Sequence, residues 1–127
     1  MKTFYVVAFL ISCFFFITCG DDESESYNIT GTWAGPYNGM VASGTMYAYL
    51  VQTGSNVTGT YSASTDGDTG TVVGTIDGSV FQTKVTSIPF TCDTYMKFTI
   101  QDSSHMSGYY RGYEACADTG SATLVKQ

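Results

Sequence analysis

Asn56-Val57-Thr58-Gly59-Thr60-Tyr61-Ser62-Ala63 is the stretch that decides the fold. Successive side chains of an extended chain point to opposite faces. Val57, Gly59 and Tyr61 therefore share one face, and Asn56, Thr58, Thr60 and Ser62 share the other. One apolar and one polar face describe a half-buried strand of an antiparallel sheet. The same alternation recurs outward along the chain in Val72, Gly74 and Ile76, in Met96, Phe98 and Ile100, and in Ala122 and Leu124. Eight such runs follow Tyr27: 29–35, 45–53, 56–63, 70–76, 79–85, 94–101, 105–112 and 121–126. None has helical spacing, and turn signals separate them, which is the all-β pattern.

Eight curved antiparallel strands in a meander close into an up-and-down barrel and so remove their edges; a two-sheet β-sandwich is the alternative. Thr30-Gly31-Thr32-Trp33, Thr58-Gly59-Thr60-Tyr61 and Ser107-Gly108-Tyr109-Tyr110 repeat a glycine followed two residues later by an aromatic. Both then face inward, with the glycine letting the strand bend and the ring filling the space it leaves. The expected core contains Trp33, Tyr61, Phe81, Phe98, Tyr110 and Leu124.

Loop lengths polarise this barrel. The second, fourth and sixth connections are tight (Gly54-Ser55, Asp77-Gly78 and Asp102-Ser103-Ser104), and Asp-Gly is a strong hairpin signal. The first, third, fifth and seventh are longer, at 36–44, 64–69, 86–93 and 113–120. Alternation along a meander places all the long loops at one end. Cys92 and Cys116 fall on two of them and are expected to form a disulfide, closing a loop of about 25 residues. Tyr37, Asn38, Met40, Phe90, Tyr113 and Glu114 are expected on these loops as a candidate ligand or partner surface. Tyrosines supply large contact area at low entropic cost.

The N-terminus is of a different kind. Lys2 precedes an uncharged run from Phe4 to Thr18, and Cys19-Gly20 is followed by Asp21-Asp22-Glu23-Ser24-Glu25. A basic start, an apolar run and a small-residue exit make an export signal over residues 1–19. The run is shorter than the roughly 20 apolar residues of a spanning helix. Phe16-Ile17-Thr18-Cys19 resembles a bacterial lipobox, which implies lipidation at Cys19; cleavage after Gly20 to give a secreted form is the alternative. Residues 20–27 then read as an acidic tether and 28–127 as one domain. The implied address is the bacterial cell envelope, as an outer-membrane or periplasmic lipoprotein held to the membrane by its lipid. Export also suits a disulfide, since thiols oxidise outside the cytoplasm.

Without the signal, four basic residues (Lys84, Lys97, Arg111, Lys126) stand against eleven acidic ones, a formal charge of −7. That excludes nucleic acid as a partner, because such surfaces need clustered Lys and Arg. No phosphate loop, nucleophile elbow or zinc helix occurs. His105 reads as a solvated turn residue, and Asp66-Gly67-Asp68 lacks the spaced ligands of an EF-hand. Glu114 and Asp118 flank Cys116 with nothing to set their separation. No catalytic residue, metal site or cofactor is therefore expected.

Gly31-Thr32-Trp33 on a first strand, with seven meandering strands after it, resembles the calycin group of lipocalins and avidins. Ile29-Thr30-Gly31-Thr32-Trp33 and Thr58-Gly59-Thr60-Tyr61-Ser62 are similar in wording to an avidin's first strands. Lipocalins often place a late basic residue over the motif tryptophan, a part open here to Lys126 or Arg111. The resemblance does not carry biotin binding. Gly35 stands where avidins have an asparagine, Gly39 lies near their serine position, and Trp33 is the only tryptophan. The expected function is non-enzymatic binding at the long-loop end, with a small apolar ligand in view. Inhibition of an extracytoplasmic hydrolase through the tether or the 36–44 loop, and a structural envelope role, are the alternatives.

Overall fold

The computed structural model describes residues 27–65 and 67–127. The expected export signal with Cys19, the expected tether up to residue 26, and Asp66 lie outside the described residues. Eight antiparallel strands run in chain order: β1 (Gly31–Gly39), β2 (Ser43–Thr53), β3 (Asn56–Ala63), β4 (Thr69–Asp77), β5 (Val80–Ser87), β6 (Asp93–Asp102), β7 (His105–Gly112) and β8 (Thr119–Lys126). Each pairs with the next, and β8 pairs with β1 from Trp33↔Lys126 to Gly39↔Gly120. The sheet is a closed meander barrel, and the sandwich is not formed.

The largest departure from the sequence reading is β1, expected to end at residue 35 and continuing to Gly39. Pro36 made residues 36–44 look like a loop, because proline lacks a ladder donor. It is accommodated where the ladder is interrupted: β1 pairs with β8 at Trp33, Ala34, Tyr37, Asn38 and Gly39, but not at Gly35 or Pro36. The first connection shrinks to Met40-Val41-Ala42.

The tight turns lie at residues 54–55, 78–79 and 103–104, all at one end. Gly54 and Gly78 adopt φ of 64° and 61°, the left-handed conformation that glycine tolerates best. That end is packed solid. Trp33, Leu50, Val57, Phe81, Met106 and Leu124 are buried there or in the adjoining layer. The Trp33 indole N–H donates to the carbonyl of Ile29 at 2.9 Å, so its one polar atom is satisfied. Phe81 and Phe98 stack at 6.0 Å between ring centroids. The void within this packing is about 20 Å3, room for roughly one water. Of the two basic residues open to the position over the motif tryptophan, Lys126 takes it, with Nζ 5.9 Å from the Trp33 ring centroid. Arg111 is exposed on the outside of β7.

Candidate ligand-binding site

The long-loop end is built differently from the floor. Inward positions there include Gly39 on β1, Ala63 on β3, Gly70 on β4 and Gly120 on β8. The glycines let neighbouring backbone and the Tyr110 ring approach closely, and Ala63 is the small side chain that faces the open volume above the floor. The result is a cavity of about 260 Å3 in the mouth of the barrel. Its walls are the rings of Tyr37, Tyr61, Phe90 and Tyr110, with the thioethers of Met46 and Met96.

Two carboxylates frame it. Asp68 accepts from the Tyr61 hydroxyl at 3.0 Å and from the Ser87 hydroxyl at 2.6 Å. Ser87 Oγ in turn accepts the Phe90 N–H at 3.1 Å, which leaves its proton directed at Asp68. Asp118 has a different job. Its Oδ1 accepts the N–H groups of Val41 and Thr119 at 2.9 and 2.8 Å, and Oδ2 accepts that of Ala42 at 3.3 Å. It thus ties the β1–β2 connection to the start of β8.

Tyr110 is the unusual member. It is 8% exposed, and its hydroxyl has no hydrogen-bond partner among the described residues. A Cβ built on Gly39 would lie 2.1 Å from Asp118 Oδ2 and 2.6 Å from the Tyr110 oxygen, so the two oxygens converge over that glycine. A Cβ on Gly120 would also meet the phenol, at 2.7 Å. The two glycines make the seat for this side chain. Burial pushes the phenol pKa up to about 12, with the Asp118 carboxylate and Tyr37 adding to the shift. Tyr37 packs edge-on against Tyr110, centroids 6.4 Å apart.

Across the rim, Cys92 and Cys116 form a disulfide with a Cα–Cα distance of 5.7 Å. It joins the β5–β6 connection to the 3-10 turn Glu114–Cys116 between β7 and β8. Such a bridge persists in an oxidising, non-cytoplasmic setting.

The six residues expected on the loops separate. Tyr37 is a buried residue of β1, and it lines the cavity together with Phe90. Asn38 is also in β1 and faces outward. Met40 is 87% exposed on the first connection. Tyr113 packs edge-on against Tyr95 outside the barrel at 5.8 Å, and Glu114 is exposed beside it. Trp33, Tyr61, Phe81, Phe98, Tyr110 and Leu124 are all buried, but Tyr61 and Tyr110 form cavity wall, whereas Trp33 and Phe81 are packed below. His105 is exposed at the start of β7, with Nδ1 2.9 Å from Asp102. That contact holds the Asp102 carboxyl below its ordinary range.

A broader hollow of about 960 Å3 crosses the outer wall past Lys84, Tyr95, Lys97, Tyr109 and Arg111. It is open to solvent along its length, whereas the mouth is walled by strands and partly covered by the connections that carry Phe90 and Asp118. The mouth is the better candidate, since ligand sites enclose most of what they bind.

No protein-family model matches the chain, and no curated protein matches it. Solved structures do. A redesigned β-barrel, b11L5F_LGL, superposes with a TM-score of 0.68 at 11% identity, over 78% of this chain and 91% of that one. The redesigned barrel mFAP1, bound to DFHBI, gives 0.66 at 9% identity over 78% and 94%. EF1p2_mFAP2b, also bound to DFHBI, gives 0.58 at 18% identity over 78% and 94%. At these identities the likeness is one of fold: a small eight-stranded antiparallel β-barrel.

Sequence reasoning missed Asp68 and Ser87, and it placed Tyr37, named for the ligand surface, on a loop instead of in β1. A signal existed for Tyr37, because Gly35-Pro36-Tyr37 repeats the glycine-x-aromatic spacing. Nothing local marks Asp68, whose place in the wall comes from contacts with two other strands.

The Tyr110 phenol carries a testable consequence. Its folded pKa lies above the value near 10 of an unfolded tyrosine. The fold therefore favours the neutral form, and that stability is fully present below pH 10 and is lost as pH rises toward 12. Urea unfolding at pH 9 and pH 11.5 should show a smaller alkaline loss in Tyr110→Phe than in the parent. Equal losses would mean the phenol is solvated.

Proposed function

We propose that this chain is an exported, lipid-anchored binding protein of calycin type that holds a small, largely apolar molecule in the open mouth of its barrel. It acts by binding and not by turnover. Lipid on Cys19 would fix it to the membrane, with the acidic stretch before Tyr27 as spacer. The observation that carries this reading is the cavity of about 260 Å3, closed below by packed side chains and braced above by the disulfide. Ligand sites usually occupy about 300–1,000 Å3, which points to a compact ligand. Lys126 over Trp33 adds to the calycin resemblance, and the two redesigned barrels with DFHBI bound illustrate that this fold has room for a small molecule. Inhibition of a hydrolase would rest on the acidic N-terminal segment, because most of the 36–44 stretch is strand.

Native mass spectrometry of Cys19→Ala protein, purified from an oxidising compartment, tests the binding reading. A discrete added mass that leaves on denaturation is expected. It should be absent from Ala63→Trp, in which an indole fills the mouth while circular dichroism still reports the barrel. A bare parent barrel would move the search to protein partners. For the anchor, radiolabelled palmitate should mark the parent and not Cys19→Ala; labelling of neither would indicate a secreted form.

A further inference from the structure

One side of the barrel's outer wall is charged in the opposite sense to the chain as a whole. Three of the four basic residues after Tyr27, namely Lys84, Lys97 and Arg111, stand on the outer face of β5, β6 and β7. The strand register interleaves them with tyrosines. Lys84 lies opposite Tyr95 and Tyr95 opposite Arg111, while the adjacent row runs Gln82, Lys97, Tyr109. Tyr95 is 52% exposed and Tyr109 70%. Both rows line the open hollow of about 960 Å3, and among the described residues no carboxylate lines it.

Folding does not call for this arrangement. Like charges on neighbouring strands oppose pairing, and the chain has acidic residues in excess with which to neutralise them. Among the described residues none of the three cations is in an ion pair, and the cation–ring contact is that of Lys126 with Trp33. Their charges and the exposed tyrosines are therefore open to a partner.

The geometry restricts that partner. Neighbouring strands lie about 4.8 Å apart, so the main chains under Lys84 and Arg111, two strands apart, are about 10 Å from one another. Cations spread in this way fit several spaced anionic groups better than one small anion. A closed barrel has no free edge, so an acidic peptide cannot add as a further strand. Duplex nucleic acid carries a charge about every 1.7 Å, and that density would set it against an otherwise acidic molecule. An acidic sugar chain has its charges spaced by whole sugar units. Its ring faces pack flat on tyrosine, and its hydroxyls suit the exposed amides of Asn38 and Gln82 on the same hollow.

We propose that this face binds an acidic polysaccharide, with Lys84, Lys97 and Arg111 as counter-ions to its carboxylate or sulfate groups and Tyr95 and Tyr109 as platforms for its sugar rings. The surface lies outside the barrel, and its occupancy does not depend on a ligand in the mouth.

Isothermal titration at pH 7 and low ionic strength, where surface charge is least screened, tests the proposal on the oxidised chain carrying Cys19→Ala. Polygalacturonate is compared with its methyl ester, and dextran sulfate with dextran. Each pair shares its sugar backbone and differs in charge, and the two pairs separate carboxylate from sulfate. At least one acidic polymer should bind about tenfold or more tightly than its uncharged form. The triple variant Lys84→Gln, Lys97→Gln, Arg111→Gln should lose most of that preference. Tyr109→Ala should weaken the acidic polymer about threefold or more. All of these positions are exposed, so circular dichroism should still report the barrel. Ala63→Trp, which fills the mouth, should leave the affinity within about twofold. Equal affinity for acidic and uncharged forms, or binding of none, would overturn the proposal. Full binding by the folded triple variant or by a folded Tyr109→Ala would do the same. Tighter binding of single-stranded oligothymidylate than of either acidic polymer would overturn it in favour of nucleic acid. Parent dimers that dissociate in the triple variant, with no polymer bound, would overturn it in favour of a second copy of the chain.

Discussion

Trp33→Ala should cost about 3–5 kcal/mol of unfolding free energy, the range for removing a large buried aromatic. Small domains have only about 5–15 kcal/mol in total, so the variant should be largely unfolded at physiological temperature or melt well below the parent. Three losses combine. The indole is fully buried, and its removal leaves a cavity in a floor whose void is about 20 Å3. The Ile29 carbonyl loses its donor. Lys126, half-buried over the ring, loses the surface on which its stem and charge rest. Thermal melts followed by far-ultraviolet circular dichroism check this, and Trp33→Phe should recover much of the loss by refilling volume. A Trp33→Ala protein within about 1 kcal/mol of the parent would mean that the floor is not what holds the barrel closed.

Removing the disulfide is the second large effect. Cys92→Ala with Cys116→Ala should lower stability by about 3 kcal/mol, the chain-entropy value for a loop of this length; the two cysteines are 24 positions apart. Unlike Trp33→Ala, this change should also act on binding. The described non-glycine residues with positive φ are Thr91 at 51° and Glu114 at 57°, and each lies within two positions of a bridged cysteine. Such conformations cost roughly 1–3 kcal/mol and persist where the surroundings hold them. Without the bridge both connections are expected to relax and Phe90 and Ala115 to leave the cavity wall. The measurement is urea unfolding, paired with the retained mass in native spectrometry. Full stability with the ligand lost would assign the bridge a purely local role at the rim; full stability with the ligand retained would show that other rim contacts suffice.

Much of this architecture was legible in the residues. Val57, Gly59 and Tyr61 announced their face because strand alternation is a property of the local chain. Asp77-Gly78 announced its hairpin because glycine at a left-handed turn position is a local requirement too. Cys92 and Cys116 are the two cysteines beyond the N-terminal segment, which made them a pair, and counting loops along the meander put both at the same end. The first connection failed for an equally local reason: Pro36 has no amide proton, and a sequence cannot show that the neighbouring strand makes no ladder bond at that level. Tyr37 and Asn38 were consequently read as loop residues, although one lines the cavity and the other faces solvent.

The sequence by itself therefore determined the number of strands, their order, the face each buries and the end at which the long loops gather, because each depends on residues a few positions apart. Only the tertiary structure decided that the floor is solid and the mouth hollow. That contrast depends on which inward residues of eight strands share a level, and level is set by the register that closes β8 on β1. It also decided that Asp118 holds Val41 from 77 positions away and that Asp68 meets Ser87 from 19. Contacts at such separations come from closure of the sheet, and no local propensity encodes them.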